Sequence, residues 1–175
     1  MRKLILLFVL ATITVSCGSV FELLELNVNN DLTEKIEISV PKTLGTTDAI
    51  DFTQTVDLNS GDLGEYIGKI TAIQITAFNY KFIEFNGNTA GTIPSGVIKF
   101  DDTIVSTLAN LNISQAANRE TVFQITNPEV LKKLETTFLN NSATVITLTG
   151  DALSDDGPMN FKVEVNISLT ATIKE

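Results

Sequence analysis

The chain has 175 residues, a net charge of −9, one cysteine and no histidine. Lack of histidine removes Ser-His-Asp and Cys-His catalysis and the usual His-containing zinc sites, and an acidic surface repels phosphate backbones, which argues against a nucleic-acid partner. With no Trp and only Tyr66 and Tyr80 beside ten Phe, the chain also has little material for the aromatic platforms of glycosidase clefts.

In chain order, Arg2-Lys3 precede an apolar run from Leu4 to Val15, which Ser16 and Cys17 close. Those 12 residues fall well short of the roughly 20 that span a bilayer as a helix, so the run reads as a cleavable signal. Thr14-Val15-Ser16-Cys17 resembles the lipobox of bacterial lipoproteins, with Thr14 where the usual motif has Leu. The looser lipobox and the Ile-, Thr- and Asn-rich composition resemble those of bacteria related to Bacteroides and Flavobacterium. The resemblance implies a lipoprotein signal peptide at residues 1–16, a lipidated Cys17 with a short tether over residues 17–20, and a single domain over residues 21–175. It further implies three acyl chains on Cys17. Each buried methylene contributes about 0.8 kcal/mol, so two or more chains anchor a protein without ready reversal. Gly18-Ser19-Val20-Phe21 carries neither the Asp of inner-membrane retention nor the acids of surface export. The resemblance therefore places the protein on the periplasmic face of the outer membrane.

Removing the first 16 residues leaves 159 and, with Arg2 and Lys3 gone, moves the charge from −9 to −11. That length suffices for one domain burying about 70% of its unfolded surface without disulfides.

Strands dominate the remainder. Glu34 to Val40 alternates Ile36, Ile38 and Val40 inward, and Ile50 to Leu58 reads as a second strand. A helical turn at Asp62 to Ile67 precedes a long apolar alternation from Lys69 to Phe85, whose phase shifts near Phe78 and calls for a bulge that aims Tyr80, Phe82 and Phe85 differently. Val97 to Phe100, Leu108 to Ile113 and Thr121 to Thr126 read as shorter strands. Asn127-Pro128-Glu129 is a helix start: a capping Asn, Pro at the first helical position and an acid near the positive end of the dipole. Val130, Leu131, Leu134 and Phe138 then share one face, and Asn140-Asn141 ends the helix. Ala143 to Thr149 and Met159 to Lys174 are strands around a turn containing Asp155-Asp156-Gly157-Pro158, expected as a hairpin. The second of them places Phe161, Val163, Val165, Ile167, Leu169, Ala171 and Ile173 on one face.

This pattern predicts a mainly β fold, an antiparallel β-sandwich of seven or eight strands with one or two short helices. The alternative is a half-open barrel in which the Val130/Leu134/Phe138 stripe is a lid over an apolar cavity. Asp101-Asp102 and Asp155-Asp156 could collect a cation only if the fold joined them, and read better as solvated turns. Asp102-Thr103-Ile104 resembles the O-glycosylation sequence of exported Bacteroides-group proteins. No catalytic, cofactor or metal residue emerges, and Cys17, the lipidation site, is the one assigned position. The expected function is a non-enzymatic, lipid-anchored envelope module that binds or scaffolds another component. Its rival is a carrier or sensor of a lipophilic molecule in the periplasm.

Overall fold

The structure is a computed structural model that describes residues 25–41, 47–57, 61–66, 68–87, 90–141, 143–154 and 157–174. The signal peptide, Cys17 and the tether lie outside the described residues. Among those described, eight strands are shared between two sheets: β1 (Glu25–Val40), β2 (Asp48–Asp57), β3 (Ile70–Asn86), β4 (Thr92–Phe100), β5 (Thr103–Asn112), β6 (Val122–Gln124), β7 (Ala143–Leu153) and β8 (Met159–Lys174). A 3-10 turn spans Gly61–Tyr66, and two α-helices, α1 (Ile113–Asn118) and α2 (Pro128–Asn140), flank β6.

One sheet has the order β1-β8-β3-β6 and the other β2-β7-β4-β5, with every pairing antiparallel. The first strand thus pairs with the eighth, the second with the seventh, the third with the sixth and the fourth with the fifth. Every connection except β4–β5 passes from one sheet to the other. A long hairpin wrapped on itself in this way is the jelly-roll form of the β-sandwich.

The alternation in β8 produces the expected row: Phe161, Val163, Val165, Ile167, Leu169, Ala171 and Ile173 are all buried. Large apolar side chains of this kind contribute about 1.5–3 kcal/mol each when fully buried. The phase shift in β3 is a register break between Ile75 and Ala77. It returns Phe78, Tyr80 and Phe82 to the core face that Ile75 occupies and leaves Ala77 exposed, so the bulge continues one buried face and does not open a second.

The expected β7–β8 hairpin does not form. β7 joins β2 and β4, whereas β8 joins β1 and β3. Both strands alternate apolar and polar residues, and that pattern marks a buried face on each without saying whether the two faces lie side by side or across a core. Here Thr144, Ile146, Leu148 and Ala152 of β7 face the interior from the opposite sheet. β1 also begins well before Glu34, because Leu32 continues its inward row.

Pro94 sits in β4, an inner strand, where its missing N–H interrupts the ladder. The register with β7 slips between Thr92 and Ser95, and Asn110, opposite Pro94, takes φ 48°. Nearby, Gly150 pairs with Gly96 at φ 155°, where a Cβ would strike the backbone of Ser95 and Gly96.

Candidate functional site

The interior is filled. Phe78, Tyr80 and Phe82 of β3 have at most 2% of their surface exposed, and their rings contact Phe100, Phe123 and Phe161 at centroid separations of 5.0–5.9 Å. Tyr80 crosses the core to a 2.7 Å hydrogen bond with Ser106 of the other sheet. Burial pushes its phenol pKa up, partly opposed by that bond. Phe85 is half-buried at the end of the row.

The apolar stripe on α2 is core as well. Asn127 caps the helix, its side-chain oxygen accepting from the N–H of Glu129 and Val130 at 3.0 and 3.4 Å. Leu134 is fully buried and Phe138 packs near Phe100, so the helix plugs the sandwich where β3 would present an open edge. The carboxylate of Glu135 accepts the β3 backbone N–H of Ile75 at 3.0 Å, and Ile125 N–H donates to the Phe78 carbonyl at 2.9 Å. Both contacts occupy edge groups that would otherwise template another strand.

The outer face of the β1-β8-β3 sheet is a register of matched polar rows. Glu164 on β8 meets Lys81 at 2.8 Å on one side and Lys35 at 3.5 Å on the other. One row along, Lys162 meets Glu37 at 3.0 Å and Glu84 at 2.7 Å, with the signs reversed. Glu84 adopts φ 53° within a β3 irregularity and so reaches Lys162. Toward the other end, Thr33, Thr170 and Thr172 donate to Asn166, Asn29 and Asn27 at 2.8–3.0 Å. The Lys81 hydrogen bond chiefly holds the Glu164 carboxyl below its ordinary value, against a smaller desolvation effect. Glu84 and Glu37, through their hydrogen bonds, raise Lys162. These rows fix strand register: a one-residue slip would turn them into the core.

Of the clefts among the described residues, three border the elements above. One of about 680 Å³ lies between α2 and the start of β5 and is lined by Thr103, Pro128, Glu129, Lys132, Thr136 and their neighbours. A second of about 490 Å³ runs beside Phe52, Ile38 and Phe161 under the Glu37/Lys162/Glu84 row. The third is smaller, between the end of β5, α1 and β6.

Thr103 is half-buried at the rim of the cleft beside α2, directly after the β4–β5 turn. Asp101 is held in that turn at φ 47°; its two carboxylate oxygens accept from Val145 N–H and the Thr144 hydroxyl, each at 2.9 Å. Asp155 and Asp156 lie outside the described residues, but the adjoining Ser154 is at the far end of β7 from Val145. Nine residues of largely strand backbone, about 30 Å, separate those two described positions. No cluster of three His, Cys, Asp or Glu able to hold a metal is present among the described residues. None of the described helices is long and apolar enough to cross a membrane.

The charge ladder was hidden within what sequence shows as a solvated strand face. Its signal is present as a two-residue spacing of opposite charges, Lys35 and Glu37 on β1 and Lys162 and Glu164 on β8. Antiparallel pairing sets Lys35 opposite Glu164 and Glu37 opposite Lys162, so each sign meets its complement only once the partner strand is known.

No protein-family model matches the chain, and no characterised protein matches it in sequence. Among solved structures it is similar to the decameric BFDV capsid protein, at 7% identity and a TM-score of 0.45, over 83% of this chain and 99% of that one. It is also similar to the mud crab tombus-like virus structure, at 8% identity and a TM-score of 0.41, over 94% and 98% of the two chains. For Desmodium yellow mottle tymovirus the identity is 8% and the TM-score 0.30, over 85% of each chain. Likenesses at these scores carry no argument about function. The class of protein rests on strand order: an eight-stranded jelly-roll sandwich with a closed core.

Proposed function

We propose that this protein is a lipid-anchored, non-enzymatic binding or scaffolding module of the bacterial cell envelope, held by acylated Cys17 on the periplasmic face of the outer membrane. The observation that carries the binding half of this reading is the filled interior: with Phe78, Tyr80, Phe82, Leu134 and Phe138 packed into one core, a partner is met on the outside. Thr14-Val15-Ser16-Cys17 supports the anchor. The eight residue steps from Cys17 to Glu25, the start of β1, reach at most about 29 Å, at up to ~3.6 Å per residue. The anchor would thus hold the Glu25 end of the sandwich toward the bilayer, together with the β4–β5 turn and α2, and present the opposite end outward.

A carrier of lipophiles differs measurably. A ligand binding the folded state at 100 times its dissociation constant adds about 2.7 kcal/mol of stability. The purified chain is expected to show no upward shift in melting temperature with fatty acids or isoprenoids, and native mass spectrometry should find no co-purifying lipid beyond that bonded to Cys17. A retained lipid with a matching melt shift would overturn the surface-binding reading. Generic ester, phosphate and glycoside substrates should remain unhydrolysed.

A further inference from the structure

The third cleft, about 330 Å³, is walled by Asn110, Asn112, Gln115, Arg119, Thr121 and Phe123 among others, at the end of the sandwich away from Glu25. Arg119 is one of two arginines in the chain, the other being Arg2 of the signal segment. It is exposed, and although acids outnumber bases 21 to 12, its guanidinium takes part in none of the ion pairs among the described residues.

The backbone around it is held in unusual conformations. Arg119 ends α1, and Glu120 follows at φ 49°, a position where glycine is the usual residue. Thr121 N–H bonds back to Ala116 and Glu120 N–H to Ala117, closing the helix end and fixing the direction in which Arg119 leaves it. On the opposite wall Asn110 takes φ 48° across from Pro94. Left-handed conformations of non-glycine residues cost about 1–3 kcal/mol and gather where a site is pre-shaped. Phe123 forms a rigid side, its ring stacked on Tyr80 at 5.0 Å and edge-on to Phe82 at 5.8 Å.

We infer that this cleft binds the carboxylate of an acidic saccharide. A planar guanidinium pairs a carboxylate through two parallel hydrogen bonds. The amides of Asn110 and Gln115 and the hydroxyl of Thr121 supply donors and acceptors for sugar hydroxyls, and Phe123 an apolar side. One cation in a strongly acidic chain suits a singly charged carboxylate better than a phosphate dianion. A volume near the lower end of the roughly 300–1,000 Å³ range of small-molecule sites suits one or two sugar rings. Lacking a tryptophan platform, the site discriminates by charge, so neutral sugars are left out.

The inference rests on the reading of the domain as a surface-binding module and is independent of the anchor. Its test titrates the full chain, purified in detergent, with galacturonate, the neutral sugar galactose and inorganic phosphate, followed by calorimetry and by NMR of the backbone amides around Arg119. Galacturonate should bind saturably and shift those amides, Arg119→Gln should weaken it at least tenfold with an unchanged melting temperature, and Lys132→Gln on α2 should leave it intact. Absence of saturable binding, equal binding of galactose or phosphate, or an unaffected Arg119→Gln variant would each overturn the inference. Fatty-acid incorporation, measured on the same preparation, and the lipid melts report separately on the anchor and on the surface-binding reading.

Discussion

Lys81 and Glu164 stand 2.8 Å apart on neighbouring strands of one sheet, and Lys35 approaches the same carboxylate from the other side, so a single β8 residue ties β1 and β3 together. The arrangement has a pH signature. A carboxyl whose folded pKa is depressed contributes stability that is present above its unfolded value, near 4.5 for Glu164, and lost as pH falls through the folded value. The melting-temperature gap between wild type and Glu164→Gln should therefore be widest near neutral pH and close as pH drops below about 4.5. For Lys81 and Lys162 the folded pKa is raised, so their contribution is complete below about 10.5 and fades only as pH rises past it. A gap that stays constant from pH 7 to pH 3 would mean that the pair contributes nothing.

Val165 and Asn166 test the two faces of β8. Val165 is 2% exposed within the core, whereas Asn166 accepts a hydrogen bond from Thr33 on the outer face. An unpaired buried carboxylate costs several kcal/mol, a large part of the 5–15 kcal/mol of a whole domain. Val165→Asp should unfold the chain at ambient temperature, and Asn166→Asp should cost no more than about 1 kcal/mol. Thermal melts by circular dichroism read both.

Leu134→Ala separates a plug from a lid. Truncating a buried leucine costs about 2–5 kcal/mol through lost transfer energy and the cavity left behind. Since Leu134 is fully buried, the variant should melt well below wild type. A lid closing over solvent or ligand would give a near-neutral change in the empty protein.

Asp101→Ala should also destabilise, by about 1–3 kcal/mol, because it removes both acceptors for Val145 and Thr144 and leaves a left-handed alanine in the turn. Asp101→Gly keeps the backbone freedom and should recover part of the loss. Equal melts for wild type and Asp101→Ala would show that the turn is held by its strands alone.

How far the fold was legible follows from the reach of each signal. Period-two alternation located β8 and its buried row, and the Asn127-Pro128-Glu129 cap located α2, because both are local patterns set by neighbours in sequence. Partnership was not legible: β7 and β8 look like a hairpin from the turn between them, yet they lie in different sheets. The short α1 was concealed because Asn112-Ile113-Ser114 continues the apolar β5 run, and only the Asn112 cap on Gln115 N–H, at 2.7 Å, marks the change. The Arg119 cleft was invisible for a similar reason. Its walls come from β5, α1 and the β6 region, which only the fold brings together.

The anchor is the claim on which the placement in the envelope depends, and metabolic labelling addresses it most directly. Cells producing the full chain are fed an alkyne fatty acid, and the purified protein is examined by intact mass and in-gel fluorescence beside Cys17→Ala. Wild type should carry the label and fractionate with outer membranes, having lost residues 1–16, while Cys17→Ala should carry none and leave the membrane fraction. Unlabelled wild type, or label that persists in Cys17→Ala, would contradict the lipoprotein reading.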